Sequence, residues 1–197
     1  MKALLKKFYT YLNTVFIWRF YLRRPGPKVF VIGYLKTGTT SVGESLKLLG
    51  YKHTSFNIYV WRKLYLQGRI DDVIDYVSRF DSADDLPWLK EDMIPKLNER
   101  FPNSHWIYLT RDETAWKKSF RDWSLYHHSR EVDAEKGWET YLKHERFVKD
   151  FFKSKISNKN WISLEVKDPK GFQKLADFLG KDAPRPEFPK MNVTVSK

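Results

Sequence analysis

The run Gly33-Tyr34-Leu35-Lys36-Thr37-Gly38-Thr39-Thr40 sets two glycines five residues apart around a lysine and follows them with hydroxyl side chains. Glycine lets the backbone curl, so such a loop can turn its N–H groups inward around an anion. A helix beginning at Thr39 would add the positive potential of its N-terminus at the same point. A second group lies downstream, where Arg111 is followed eight residues later by Ser119. A guanidinium fork matches phosphate oxygens, and a serine hydroxyl can close on the same oxygens from another side. Taken alone, Arg111 suits equally a surface ion pair with Asp112 or Glu113, and Ser119 an ordinary helix position.

The loop resembles the Walker A pattern G-x-x-x-x-G-K-[ST], with one departure. Thr39 stands where that pattern has its lysine, and the cation is displaced upstream to Lys36. An ATPase or GTPase uses that lysine on its β- and γ-phosphates, so ordinary triphosphate hydrolysis is disfavoured. A loop that keeps the cradle and moves its cation is expected to hold a different phosphoanhydride. Two other functions stay open on these residues. One is a small-molecule kinase using ATP and magnesium. The other is a non-catalytic adaptor that binds nucleic acid or membrane through a basic N-terminus.

The surrounding elements must place these groups together. Val29–Ile32 is a continuous apolar run ending at a glycine, the pattern of a buried parallel strand. A helix follows from Thr39 to Leu49, closed by Gly50. Strands are expected at Tyr51–Ser55, Val77–Phe80, Trp106–Leu109 and Trp161–Val166, and helices over roughly 58–67, 69–77, 89–100, 113–128, 133–153 and 169–179. Strands alternating with helices predict a three-layer α/β/α sandwich with a mainly parallel sheet. Ligands of such sheets sit at the carboxyl ends of the strands, where the glycine loop and Arg111 both fall.

The chain has 197 residues, 42% of them hydrophobic and 30% charged, which suits one globular domain. It has no cysteine, so disulfide scaffolds, thiol nucleophiles and Cys-ligated metals are excluded. The formal charge of +12 is uneven: residues 1–28 carry seven cations and no acid, and the rest of the chain is only +5. Within that segment Phe8–Trp18 is aromatic-rich and, at eleven residues, too short to span a bilayer. It fits either a helix lying in a membrane interface or one packing on the domain or on a partner subunit. Arg24-Pro25-Gly26-Pro27 then breaks the chain, which divides it into a basic appendage, 1–27, and a main domain, 28–197. The expected setting is cytoplasmic, with peripheral membrane contact through residues 1–27 and no nucleic-acid partner.

In combination the motifs resemble the sulfotransferase family, whose donor is 3′-phosphoadenosine 5′-phosphosulfate. Lys36-Thr37-Gly38-Thr39-Thr40 matches that family's 5′-phosphosulfate loop, K-[ST]-G-T-T, and Arg111 with Ser119 matches its 3′-phosphate motif. A compact branch continues the loop with Ser, carries D-x-P after the third strand, and has T-x-R-D…W…S and a terminal F-P-x-x-N. Here these are Ser41, Asp85-Leu86-Pro87, Thr110-Arg111-Asp112 with Trp116 and Ser119, and Phe188-Pro189-Lys190-Met191-Asn192. The resemblance covers about residues 28–192 and implies a fold like that of the P-loop nucleoside triphosphate hydrolases. Two features depart from the pattern. Ser41 replaces the tryptophan with which many relatives stack adenine, and the R-K-G loop is not evident, leaving Arg185 and Lys190 as candidate substitutes or ordinary surface charges.

The resemblance also implies roles. Lys36 would stabilise the leaving group, Thr37, Gly38, Thr39, Thr40 and Ser41 would line the 5′ end, and Arg111 and Ser119 would hold the 3′-phosphate. The product would be adenosine 3′,5′-bisphosphate, and no metal would be needed. The acceptor would be a hydroxyl (or amine) of a small molecule, carbohydrate or lipid, and it needs a base. Asp85 is the first candidate, at a place where many relatives carry histidine. An unperturbed aspartate, with a pKa of about 3.9, is a weak base, so burial near Asp81 and Asp84 would have to raise it. His53, just after the second strand, is the other candidate, because imidazole titrates near neutrality.

Overall fold

The computed structural model describes residues 12, 16–155 and 159–191. Five strands, β1 (Val29–Val31), β2 (His53–Thr54), β3 (Ser82–Asp84), β4 (His105–Thr110) and β5 (Trp161–Glu165), form one parallel sheet in the order β2-β3-β1-β4-β5. The helices are α1 (Thr39–Leu48), α2 (Ile70–Val77), α3 (Met93–Arg100), α4 (Glu113–His128), α5 (Ala134–Lys155) and α6 (Gly171–Phe178). The apolar strand runs divide by the two-residue period of a pleated strand. Val29, Val31, Ile107 and Leu109 face α1 and α6, and Phe30, Ile32, Trp106 and Tyr108 face α2, α3 and α5. These two cores lie between the three layers expected from the sequence.

Strand order decides where a ligand can enter. From β1 the chain moves outward to β2 and returns to β3, whereas from β4 it moves the other way to β5. The loops after β1 and β4 therefore diverge and leave a crevice between them, at the sheet's topological switch point.

Two expected elements are corrected. No strand forms at Val77–Phe80, which is the end of α2 and a turn; the strand comes two residues later, at Ser82–Asp84. Val77 and Phe80 are apolar because the helix end and turn pack on the sheet. The helix expected from Leu89 starts only at Met93, because Pro95 lacks an N–H and belongs in a first turn.

The described part of the N-terminal segment packs on the core. Trp18 is buried against Tyr76, Arg23 pairs with Asp75, and Arg24 pairs with Asp81. Phe16, Phe20 and Leu22 are exposed. The rest of the aromatic run, residues 8–11 and 13–15, lies outside the described residues. No described helix is long and apolar enough to cross a membrane.

Candidate active site

The loop after β1 is built by close approach. A Cβ at Gly33 would stand 2.5 Å from that of Leu109 on β4, so only glycine lets the loop leave the sheet there. Lys36 adopts a left-handed backbone with φ of 67°, and Gly38 reaches φ of 101° as the N-cap of α1. A side chain at Gly38 would also meet Val166 at 2.8 Å. The Thr37 hydroxyl donates to the Tyr34 carbonyl at 2.6 Å, so it holds the loop closed and is spent there. Thr39, Thr40 and Ser41 line the cleft at the start of α1, where a helix leaves its first N–H groups without intrahelical acceptors.

Arg111, just past β4, reaches across to this loop. Its Nη1 donates to the Lys36 carbonyl at 2.7 Å, and its backbone N–H donates to the Tyr141 hydroxyl at 3.2 Å. Asp112 is occupied otherwise, as the N-cap of α4, accepting from the Ala115 N–H at 2.9 Å. On α4, Trp116, Ser119 and Trp123 share one face at the i, i+3, i+7 spacing. The Trp116 indole N–H donates to the Leu35 carbonyl at 2.6 Å, Ser119 lines the cleft, and the Trp123 ring lies 5.4 Å from Lys36 Nζ. From α5, His144 Nε2 donates to the Ile32 carbonyl at 2.9 Å and steadies the end of β1.

Trp116→Phe should leave the Leu35 carbonyl without its donor and remove part of a fully buried ring. We expect a loss of about 1–3 kcal/mol in a urea unfolding series, from the unpaired acceptor and the lost packing together. An unchanged midpoint would deny that this bond holds the loop.

The cleft has two lobes. One, of about 210 Å³, is lined by Lys36, Thr39, Thr40, Asp85, Leu89 and Trp123. The other, of about 410 Å³, is lined by Thr110, Lys118, Asp122, Glu165, Val166 and Lys167. Gly38, Ser41, Arg111, Ser119 and Met191 border both, so the lobes adjoin at these residues. Arg185 and Lys190, offered as further phosphate contacts, line neither. Lys167, just after β5, joins Arg111 and Lys118 as a cation lining the larger lobe; the strand-end rule applied to β5 would have found it.

The electrostatics favour an anion here. Burial lowers the pKa of Lys36 and the neighbouring Arg111 charge lowers it further, with Asp85 opposing. Burial likewise lowers Arg111, against the attraction of Glu165 and Asp112. Two cations held together in partial shelter from water repel each other until a negative group sits between them.

The two candidate bases part company. Asp85, directly after β3, has φ of 65° and lines the lobe that contains Lys36. Burial pushes its carboxyl up to about 6; the Leu86 N–H, 2.7 Å from Oδ1, opposes this, Asp84 adds to it and Lys36 opposes it. His53 is not brought to the cleft. Its side chain is 2% exposed, turned inward to Ser82 and Asp84 beneath α1, so the base role expected for it is withdrawn. On so short an edge strand, a residue just past the second apolar segment and one within it cannot be told apart by sequence.

The sulfotransferase domain model matches residues 28–130 and 123–196. The chain belongs to the sulfotransferase family. Among solved structures, a sulfotransferase from Alicyclobacillus acidocaldarius aligns over 86% of this chain and 88% of its own, with a TM-score of 0.58 and 13% identity. A gluconokinase from Sinorhizobium meliloti 1021 aligns over 80% of this chain and 98% of its own, with a TM-score of 0.46 and 16% identity. No curated protein matches by sequence. The fold is thus the α/β sandwich of P-loop type expected for a sulfotransferase, with its glycine loop after β1.

Proposed function

We propose that this sulfotransferase moves a sulfuryl group from 3′-phosphoadenosine 5′-phosphosulfate to an acceptor hydroxyl or amine by in-line displacement. The observation that carries the reading is the meeting of Arg111 with the glycine loop: its guanidinium bonds the Lys36 carbonyl, and Ser119 borders the same cleft. The residues fit the donor's charges. The α1 N-terminus and Lys36 suit a phosphosulfate, and Arg111, Ser119 and Lys167 suit a second phosphate. The mutual repulsion of Lys36 and Arg111 is the strain such a ligand would relieve.

When bound, the donor supplies the sulfuryl group and a phosphate leaving group. Asp85 accepts the acceptor's proton as the acceptor oxygen bonds to sulfur. Lys36 meets the negative charge that grows on the 5′-phosphate oxygen as its bond to sulfur breaks. The N–H groups at the start of α1 take charge that spreads over the sulfuryl oxygens, and the held nucleotide keeps the two reacting oxygens in line. Among the described residues no group of acids and histidines is placed to hold a metal, and Lys36 with the helix N-terminus provides the positive charge this scheme uses.

The test is thermal stabilisation. Adenosine 3′,5′-bisphosphate at about 100 times its dissociation constant should add about 2.7 kcal/mol and raise the midpoint by several degrees. ATP with magnesium should add much less. Arg111→Ala should weaken bisphosphate binding about 10- to 100-fold, the worth of charge-assisted hydrogen bonds, and erase most of the preference. Equal protection of the wild type by both nucleotides would overturn the reading, and stronger protection by ATP with magnesium would favour a kinase.

A further inference from the structure

The described N-terminal segment turns both apolar and cationic side chains outward. Its short helix, Ile17–Phe20, buries Trp18 against Tyr76 and leaves Phe16 and Phe20 exposed, four residues apart, with ring centres 5.4 Å from each other. Phe20 is 71% exposed and Leu22 is 85% exposed. The loop after β2 adds Phe56 and Ile58, which are also exposed. The two stretches are tied together. Arg19 donates to the Tyr59 hydroxyl at 2.9 Å, and Trp18, Tyr21, Lys52 and Phe56 line one pocket of about 390 Å³.

Cations crowd the same surface. Arg23 and Arg79 share Asp75, and Arg24 pairs with Asp81. Lys52 Nζ lies 3.5 Å from the centre of the Tyr21 ring, and the Arg19 guanidinium lies 4.6 Å from that of Trp18. Among these described side chains, five cations stand with two carboxylates. Upstream, Lys2, Lys6 and Lys7 add positive charge, and residues 1–28 hold no acid.

We infer that residues 16–24 and the loop after β2 form a docking surface for an anionic lipid bilayer, with Phe16, Phe20, Leu22 and Phe56 entering the interface and the cations meeting lipid phosphates. The inference goes beyond the transfer reaction and does not depend on the donor.

Scattered exposed apolar residues are ordinary in a folded protein. Here they are interleaved with arginines along one segment, as Phe16, Arg19, Phe20, Leu22, Arg23 and Arg24. Aromatic rings favour the depth of the lipid headgroups, where acyl carbon meets water. Each Lys or Arg near an anionic surface adds about fivefold to partitioning. Asp75 and Asp81 hold their guanidinium groups in place beside the rings without cancelling the local excess of positive charge. A protein partner would need acids opposite the cations and a fitted socket for each ring. A bilayer supplies the negative charge and the apolar medium without a fitted shape.

Sedimentation of the full chain with vesicles tests this. The chain should partition onto phosphatidylcholine vesicles containing about one-third phosphatidylserine at least tenfold more than onto phosphatidylcholine alone, and added salt should weaken the binding. Phe16→Ser and Phe20→Ser should each lower the partition coefficient about tenfold, from the apolar area no longer buried in lipid. Both positions are exposed, so the thermal midpoints of these variants should match wild type. No binding to vesicles, or equal binding to the two compositions, would overturn the inference. Wild-type binding by the variant carrying both substitutions would also overturn it, by placing the contact outside this surface. So would a chain that is dimeric in sedimentation equilibrium, becomes monomeric in Phe20→Ser and binds no vesicles, since the patch would then be a seam between two copies.

Discussion

Lys36→Ala should lower kcat by about 10²–10³-fold, the range seen when a preorganised donor to a developing oxyanion is removed, and weaken bisphosphate binding far less. Lys36 is sited for this division. It lines the lobe that holds Asp85, which in the proposed scheme takes the reacting end of the donor, while Arg111 and Ser119 border both lobes. In the free protein it also repels Arg111, and its removal relieves that repulsion. The backbone consequences are small. Lys36 already holds φ of 67° with a Cβ, so alanine adds no new strain, and the Lys36 carbonyl still accepts from Arg111. Steady-state turnover at saturating donor, paired with thermal shift by the bisphosphate, separates the two terms. A kcat within tenfold of wild type, or binding lost in proportion to turnover, would remove Lys36 from the chemical step.

Asp85→Asn should lower kcat/KM by about 10²–10⁴-fold, the usual contribution of a positioned general base. It should also abolish the acid limb of the rate profile. The carboxyl is pushed up to about 6 by burial, and it acts as a base only when ionised. Wild-type activity should therefore rise with pH through about 6 and level off above 7. Asparagine is the right probe because it tolerates the left-handed backbone of Asp85, with φ of 65°, better than alanine does. Stability should move the other way. A carboxyl whose pKa is raised on folding holds its proton more tightly in the folded chain. Its contribution to stability is present at low pH and is lost as pH rises from about 4 to 6. At pH 8 the asparagine variant escapes the cost of a buried carboxylate and should melt no lower than wild type. A loss of less than tenfold in activity, with the acid limb intact, would refute the base role.

Gly33, Lys36, Gly38 and Arg111 were legible because each serves local geometry or comes directly after a strand, whereas Ser119, inside α4, was singled out only by its spacing from Arg111. A glycine loop between a strand and a helix has few uses, and strand ends in a parallel sheet open onto the ligand crevice. Thr37 was legible as part of the loop, but its hydroxyl was not legible as a closing bond to Tyr34, since that depends on how far the loop curls. Lys167 directly follows the last expected strand, so the strand-end rule reaches it, but its neighbours carry no motif. It matters only once β5 lies beside β4 and turns its following residues toward Arg111.

Four of the five strands, the order of the motifs and the place of the glycine loop were legible in the amino-acid sequence, because they rest on hydrophobic period, glycine placement and charge within a few residues of each other, whereas β3 was not. Tertiary structure alone decided which of the two candidate bases lines the cleft. Asp85 and His53 both follow or lie in short strands, and only the pairing of β2 with β3 and the descent of α1 at Gly43 turn the histidine inward and leave the aspartate at the cleft. The reason is that burial, and with it the cost of charge, depends on which distant surfaces meet, which no local pattern of residues encodes.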